Sequence, residues 1–518
     1  MAYLLLRQKK IDIFIRNYFT IGFFAFIVLS IFLYFLQINR SFHFWDEYGH
    51  WGIMNRESLK LGTFYSVYDS KLKIRKDYPP LFVLIELLWA CFNRLQYSEG
   101  MIYVSLATFS VMLLIPFFSG ISKKDVPKTI IAAVSLVLLL IYVNHTPYAS
   151  DRAHLLNSIY VDWTLPVFAA YVLYFVHSKQ DSYTLFEYIE LALLLSSLLM
   201  MKQIGIAFYA LAVAYFFYRQ CITQNVNLKD IAISAVPSLL VPFAVSYSWK
   251  AYITYLNVAS GSQFKIGKVF ETVKGLLFGG EVMAWQSEAF SNFTNAILRR
   301  PLFVHPFPIS YFPFVLITIL LLLTLTGFKR RSVELSAIYS LGSIGYATMM
   351  LMLYVSSFGE VEGPPLASFD RYMIAYLYFG VYLLAYTVFS EKQNLTRSAV
   401  LLLFLVLTFE YADISHLNPF GKREKIVYED AANELLGIDT QKEERILIIN
   451  SANDRDDLLY RLEYYQEERY DILYDEVFEL SPADYRQLLD QYDFVYLLHI
   501  DDEYVNTYWH PLNRCSSL

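Results

Sequence analysis

The sequence predicts an all-α polytopic membrane protein carrying a small α/β domain at its C-terminal end. Three observations predict this. The 518 residues are 56% hydrophobic and only 17% charged, too apolar for an ordinary soluble chain. Apolar runs near the ~20 residues needed to cross a bilayer recur about eleven times before residue 412. Charge is also split along the chain. From Asp413 onward there are 24 acidic residues against 10 Lys plus Arg, a net of −14, whereas residues 1–412 carry a net of +8. The division is therefore a basic membrane domain, 1–412, and an acidic extracytoplasmic domain, 413–518.

The first apolar run, about Tyr18 to Ile38, lacks a small-residue cleavage site and is expected to stay as an anchor. The others lie near 100–119, 128–144, 162–177, 184–200, 203–218, 231–250, 308–327, 333–357, 372–389 and 398–412. Basic residues mark cytoplasmic ends. Arg7, Lys9, Lys10 and Arg16 place the N-terminus inside, and Lys123-Lys124, Lys179, Arg219 with Lys229, Lys329-Arg330-Arg331 and Lys392 with Arg397 mark inner loops. These alternate consistently only if Leu81–Asn93 does not span. That run is short, contains Glu86 and follows Pro79-Pro80, a good helix start. It is expected to lie in the outer interface. The outer loops are then 39–99, 145–161, around Met201-Lys202, 251–307 and 358–371. The aromatic share is 18%, with 43 Tyr and 41 Phe, and part of it is expected at the two interfaces. The three cysteines form no CxxC pair, which argues against a disulfide framework or thiolate metal site.

In the tail, Arg445–Ile449, Tyr470–Tyr474 and Phe494–Leu498 read as strands. Asp454–Tyr465 and the segment opened by Ser481-Pro482 read as helices, the second with Ser as N-cap. This β-α-β-α-β order has no glycine-rich phosphate loop, so no nucleotide site is expected.

Chemistry-bearing residues gather in the outer loops. Trp45-Asp46-Glu47 follows the first span. Carboxylates there are costly unless paired, solvated or in use. One would serve as general base while its neighbour orients the acceptor; the alternative is a solvated interfacial loop anchored by tryptophan. Lys76-Asp77-Tyr78 precedes the two prolines, which either hold these residues over a site or only start a helix. Asp162 opens a span, where the helix dipole alone favours an acid. Lys202 sits between two apolar runs and either snorkels or binds an anion. Arg371-Tyr372 closes a loop containing Gly363-Pro364-Pro365. A guanidinium suits phosphate; the alternative is an interfacial Asp370–Arg371 pair. On the inferred topology all of these face outside. They supply a base and a clamp for an anion, and a lipid phosphate is the obvious anion at that depth.

In this order the motifs resemble those of the GT-C superfamily of polytopic glycosyltransferases, particularly bacterial relatives of protein mannosyltransferases and the aminoarabinose transferase of lipid A. Trp45-Asp46-Glu47 is similar to the family's acidic motif in the first outer loop. Tyr78-Pro79-Pro80-Leu81 is similar to its Pro-Pro-Leu run before a juxtamembrane helix, Asp162 to its second-loop aspartate, Lys202-Gln203-Ile204-Gly205 to its lysine motif, and Arg371-Tyr372 to a late Arg-Tyr. The resemblance covers roughly residues 10–412. Many relatives carry Lys or His where Tyr78 stands, which makes Lys76 the substitute contact.

The resemblance implies transfer of a sugar from a polyprenyl-phosphate donor to an extracytoplasmic glycan, lipid or protein by a single inverting displacement. Asp46, ahead of Glu47, would be the base; Arg371 and Lys202 would clamp the phosphate; Asp162 would shape the acceptor side. No cofactor is required, and a divalent metal is permitted but not implied. Membrane lipids are expected partners and nucleic acid is not. The competing readings are a flippase for lipid-linked sugars, which would show inverted repeats and charges open to both sides, and a surface-polysaccharide polymerase.

Overall fold

The computed structural model describes residues 19–72, 74–119, 121, 125–142, 154–179, 183–223, 227–258, 272, 274–276, 280, 282–303, 307–390, 394–408, 445–450, 464, 470–473, 477–478, 480–498, 500 and 502–509. Several residues used above lie outside these: Arg7, Lys9, Lys10, Arg16, Lys123, Lys124, Lys392, and the expected helix 454–465 except Tyr464. The chain divides into two compact units. One comprises Met1–Ile38 and Met54–Pro419, the other Asn39–Ile53 and Phe420–Leu518.

The described elements of the first unit are helices, apart from connecting loops and one isolated bridge between Phe303 and Ile309. Its elements are α1 (Ile21–Gln37), α2 (Gly52–Leu61, whose first two residues fall in the second unit), α3 (Leu81–Ala90), α4 (Glu99–Leu114), α5 (Val126–Leu140), α6 (Val161–Ser178), α7 (Leu185–Met201), α8 (Gly205–Tyr218), α9 (Leu228–Ala235), α10 (Val241–Tyr255), α11 (Ala284–Arg299), α12 (Tyr311–Thr326), α13 (Arg330–Ser356), α14 (Phe369–Ser390) and α15 (Leu395–Thr408). Each expected apolar run falls on one of these, α9 and α10 sharing one run. They join through a π-turn at Val236–Leu240 that holds Pro237, where the missing N–H loosens the helical ladder. Among the described residues, five helices are long and apolar enough to cross a bilayer by themselves: Glu99–Phe118, Gly205–Ile222, Lys229–Tyr255, Arg330–Ser356 and Phe369–Phe389. The protein is a multi-pass membrane protein. By contrast α3, ten residues, is about 15 Å long, half a hydrocarbon core.

Local signals place the ends. Thr184 and Glu187 form a reciprocal capping box at the start of α7. Gly327 ends α12 in the left-handed region, φ 85°, the conformation glycine adopts without strain.

At the centre α14 packs against α6, and both are almost wholly buried. Sequence reading puts part of the tyrosine excess at the interfaces, yet many tyrosines are core residues here. The Tyr376 hydroxyl donates to Tyr339 O at 2.7 Å, Tyr382 to Leu139 O at 2.9 Å, Tyr386 to Leu113 O at 2.8 Å and Tyr311 to Ser343 O at 3.0 Å. A helical carbonyl keeps a second lone pair after its own ladder bond. In an apolar setting a tyrosine therefore packs its ring and satisfies its hydroxyl on the neighbouring helix. Glycines admit these hydroxyls: a Cβ on Gly342 would lie 2.5 Å from Tyr376 Oη, and one on Gly380 would overlap Tyr339 Oη.

Arg219, 2% exposed, sits at the other end of α8. Its guanidinium donates to the carbonyls of His177 and Lys179 at the end of α6. It thus takes up acceptors that a helix C-terminus leaves without partners.

The second unit contains a parallel three-stranded sheet, β1 (Ile446–Asn450), β2 (Tyr470–Leu473) and β3 (Phe494–Leu498), in the order β2-β1-β3. All five residues of β1 are buried, as expected of a central parallel strand covered on both faces. Leu447 and Ile449 pack with Val477, Tyr485, Tyr504 and Tyr508. Between β2 and β3 lies α16 (Pro482–Leu489), capped by the Ser481 side chain as its sequence predicts. The segment Asn39–Ile53 is part of this unit, and the Phe42 ring lies 5.7 Å from that of Tyr464.

Candidate functional site

Three helix ends meet in the first unit. Asp162 is in the first turn of α6, Arg371 and Tyr372 are in the first turn of α14, and Lys202 caps the C-terminus of α7. Lys202 leaves the helix in an extended conformation, φ −160° and ψ 153°, and the chain turns at once into α8. Gly205 makes that turn: a Cβ there would overlap the carbonyl of Leu198. The glycine of Lys202-Gln203-Ile204-Gly205 is thus what lets a lysine sit in so tight a connection.

Lys202 does not snorkel. Its ammonium lies 2.7 Å from Asp162 Oδ1 and 2.9 Å from Oδ2. Arg371 Nε approaches Asp162 Oδ2 at 3.8 Å, so two cations share one carboxylate that is 3% exposed. Aromatic faces complete the site. Lys202 Nζ is 5.5 Å from the Tyr372 ring centre, and Arg371 Cζ is 4.9 Å from that of Tyr160 and 5.3 Å from that of Tyr372. Both are within cation–π range. Tyr372 is held through its own carbonyl, which accepts from Tyr346 at 2.8 Å. Burial works against the Lys202 charge, but the Asp162 carboxylate, with Tyr372 and Tyr78, outweighs it and raises its pKa. The lysine is held as a cation.

Asp370 binds Arg300 Nη2 at 2.5 Å. Consecutive helical residues point about 100° apart, so Asp370 and Arg371 serve different sides of α14. That angle was available in the sequence; the partner 70 residues away was not.

Residues of the Pro-Pro loop are mostly engaged with their own loop. The Lys76 ammonium donates to Val67 O at 3.1 Å and Ser70 O at 3.2 Å, and burial lowers its pKa. The Tyr78 carbonyl accepts from Tyr65 at 2.6 Å, and the Tyr78 ring stacks under Arg75 at 5.6 Å. The Asp77 carbonyl accepts from Trp249 Nε1 at 3.1 Å, and its side chain is half-buried. Pro80 is the N-cap of α3, with helical rather than extended angles.

Trp45, Asp46 and Glu47 belong to the second unit. Here the structure distinguishes the two acids. Glu47 is fully buried, and its Oε2 accepts the backbone N–H groups of His43 at 2.8 Å and Phe44 at 2.9 Å. Asp46 and Trp45 are half-buried. Asp46 immediately precedes the π-turn Glu47–Trp51, a distortion frequent at functional sites. Among the described residues no group of three or more His, Cys, Asp or Glu is arranged to hold a metal ion. Sequence reading did not single out Tyr160 as a stacking partner, Arg300 as the partner of Asp370, or Glu47 as a loop cap. Only the Asp-Arg adjacency gave a signal.

No family model matches the chain, and no curated protein does. Solved structures similar to it include ArnT from Cupriavidus metallidurans bound to undecaprenyl phosphate. That likeness has 14% identity over 86% of this chain and 85% of the other, with a TM-score of 0.47. The apo state of the same protein is similar at 12% identity over 86% and 84%, with a TM-score of 0.39.

Proposed function

We propose that this protein is a membrane glycosyltransferase that moves a sugar from a polyprenyl-phosphate donor to an extracytoplasmic acceptor. The observation that carries the reading is the sharing of Asp162 by Lys202 and Arg371 where three helix ends meet. Two fixed cations beside a span suit a lipid phosphate, whose charge grows as the glycosidic bond breaks. Preorganised cations act there with little reorganisation.

In the displacement, the acceptor hydroxyl oxygen attacks the anomeric carbon. The bond from that carbon to the donor phosphate oxygen breaks, and the electron pair leaves with the lipid phosphate. Arg371 offers a planar fork to two phosphate oxygens, and Lys202 adds a point charge. Asp162 orients both cations, a positioning role that replaces the acceptor-side role the resemblance implies. The proton of the acceptor hydroxyl goes to Asp46. Glu47 is occupied in holding its own loop, which supports Asp46 as the base. Arg371, Lys202 and Asp46 act outside, with the N-terminus in the cytoplasm, a reading that the distribution of basic residues in the sequence supports.

The test uses purified protein in micelles supplied with labelled undecaprenyl-phosphate sugars, reading release of lipid phosphate. Full activity of Arg371→Ala would sink the clamp, and full activity of Asp46→Asn would sink the base. Product length separates single transfer from chain growth.

A further inference from the structure

The C-terminal end of α11 forms an open recess of about 460 Å³, lined by Asn295, Ala296, Arg299, Arg300 and Pro301. Its volume is within the range of small-ligand sites. Asn295 and Arg299 are one helical turn apart and share a face; Ala296 and Arg300 repeat that spacing, with a small residue leaving room below the guanidinium. The two arginines differ in how they are held. Arg300 is anchored from behind: Asp370, 6% exposed, binds one guanidinium nitrogen, and the Phe369 ring lies 5.5 Å from Cζ. Arg299 is exposed and, among the described residues, makes no ion pair. Among the described residues no acid lines the recess.

We infer that this recess binds a phosphate ester, with Arg299 and Arg300 as the forks and the Asn295 amide as a further donor. Guanidinium forks match phosphate oxygens in pairs. The terminal carbonyls of α11 oppose an anion with roughly half an elementary charge, against the whole charge of Arg299; Asp370 offsets that of Arg300 and leaves it as an oriented donor. The phosphate is borne either by a membrane lipid headgroup or by a soluble or polymeric acceptor. The inference does not rest on the glycosyl-transfer reading, because neither arginine belongs to the Lys202–Arg371 site.

The test uses the full chain in maltoside micelles, which contain no phosphate, both as it stands and with Arg371→Ala to remove the other cation site. One arm titrates glycerol 3-phosphate; the other adds phosphatidylglycerol and counts retained lipid by native mass spectrometry. Arg299→Gln should weaken binding about tenfold in both backgrounds, the loss of one charge-assisted contact, and Arg299→Lys should weaken it less. Binding in the first arm alone assigns a soluble or acceptor phosphate, and binding in the second alone a headgroup. Binding of neither probe, or binding that Arg299→Gln leaves unchanged in the Arg371→Ala background, overturns the inference. Loss of glycosyl transfer with this binding intact would overturn only the earlier proposal.

Discussion

The ammonium of Lys202 bridges both carboxylate oxygens of Asp162, at 2.7 Å and 2.9 Å, across 40 residues of sequence. The pair ties the first turn of α6 to the residue that caps the C-terminus of α7. Removing one partner from such a largely buried pair leaves the other uncompensated, typically at about 3–5 kcal/mol. Asp162→Asn and Lys202→Met should each lower the thermal midpoint, and the double variant should lose less than the sum. A double-mutant cycle with no coupling would rule out the pair as a structural tie.

The Lys202 pKa is raised, so its stabilisation is fully present below the ordinary lysine range and lost as pH rises through the folded value. Thermal midpoints measured from neutral to strongly alkaline pH should hold steady and then fall. Lys202→Met should flatten that final fall.

Arg371→Lys keeps the charge and discards the fork. Donor turnover should drop about 10- to 100-fold, or ~1.4–2.8 kcal/mol, with little change in folding. Turnover at the native rate would show that charge alone suffices.

Glu86 is buried in the non-spanning helix α3 and accepts from Asn55 Nδ2 at 3.2 Å. Burial raises its pKa well above the carboxylate range, only partly opposed by that hydrogen bond. The sign follows: the contribution is present below the unfolded carboxyl value and lost as pH rises towards the folded one. Glu86→Gln should therefore raise the thermal midpoint at neutral pH and leave it nearly unchanged at pH about 4. A lower midpoint at neutral pH would contradict the assignment.

Gly380→Ala should destabilise by about 1–3 kcal/mol, since the added methyl overlaps the Tyr339 hydroxyl between α13 and α14. Arg219→Met should cost a similar amount by stripping the carbonyls of His177 and Lys179 of their donor. Chemical denaturation in mixed micelles reads both, and a neutral Gly380→Ala would mean the helices separate easily there.

Much of the fold follows from local rules. Apolar run length located the spanning helices because a bilayer imposes a length and helices satisfy their own backbone groups. The three strands of the tail, the Ser481 cap and the shortness of α3 were likewise legible in neighbouring residues. So was the set of charged residues at span ends, since charge there is costly enough to stand out. Partner choice was not legible. The sequence placed Asp370 beside Arg371, and only the fold shows Arg300 as a partner of Asp370. It offered two equivalent acids at 46 and 47, and the backbone of residues 43 and 44 claimed Glu47. It did not show which tyrosines pack in the core, where Tyr311, Tyr376, Tyr382 and Tyr386 donate to carbonyls of other helices. Composition and periodicity by themselves determined that this chain is a polytopic helical protein with a small α/β unit. Which carboxylate faces which cation was decided only by the tertiary structure, because an ion pair depends on distances between residues far apart in sequence.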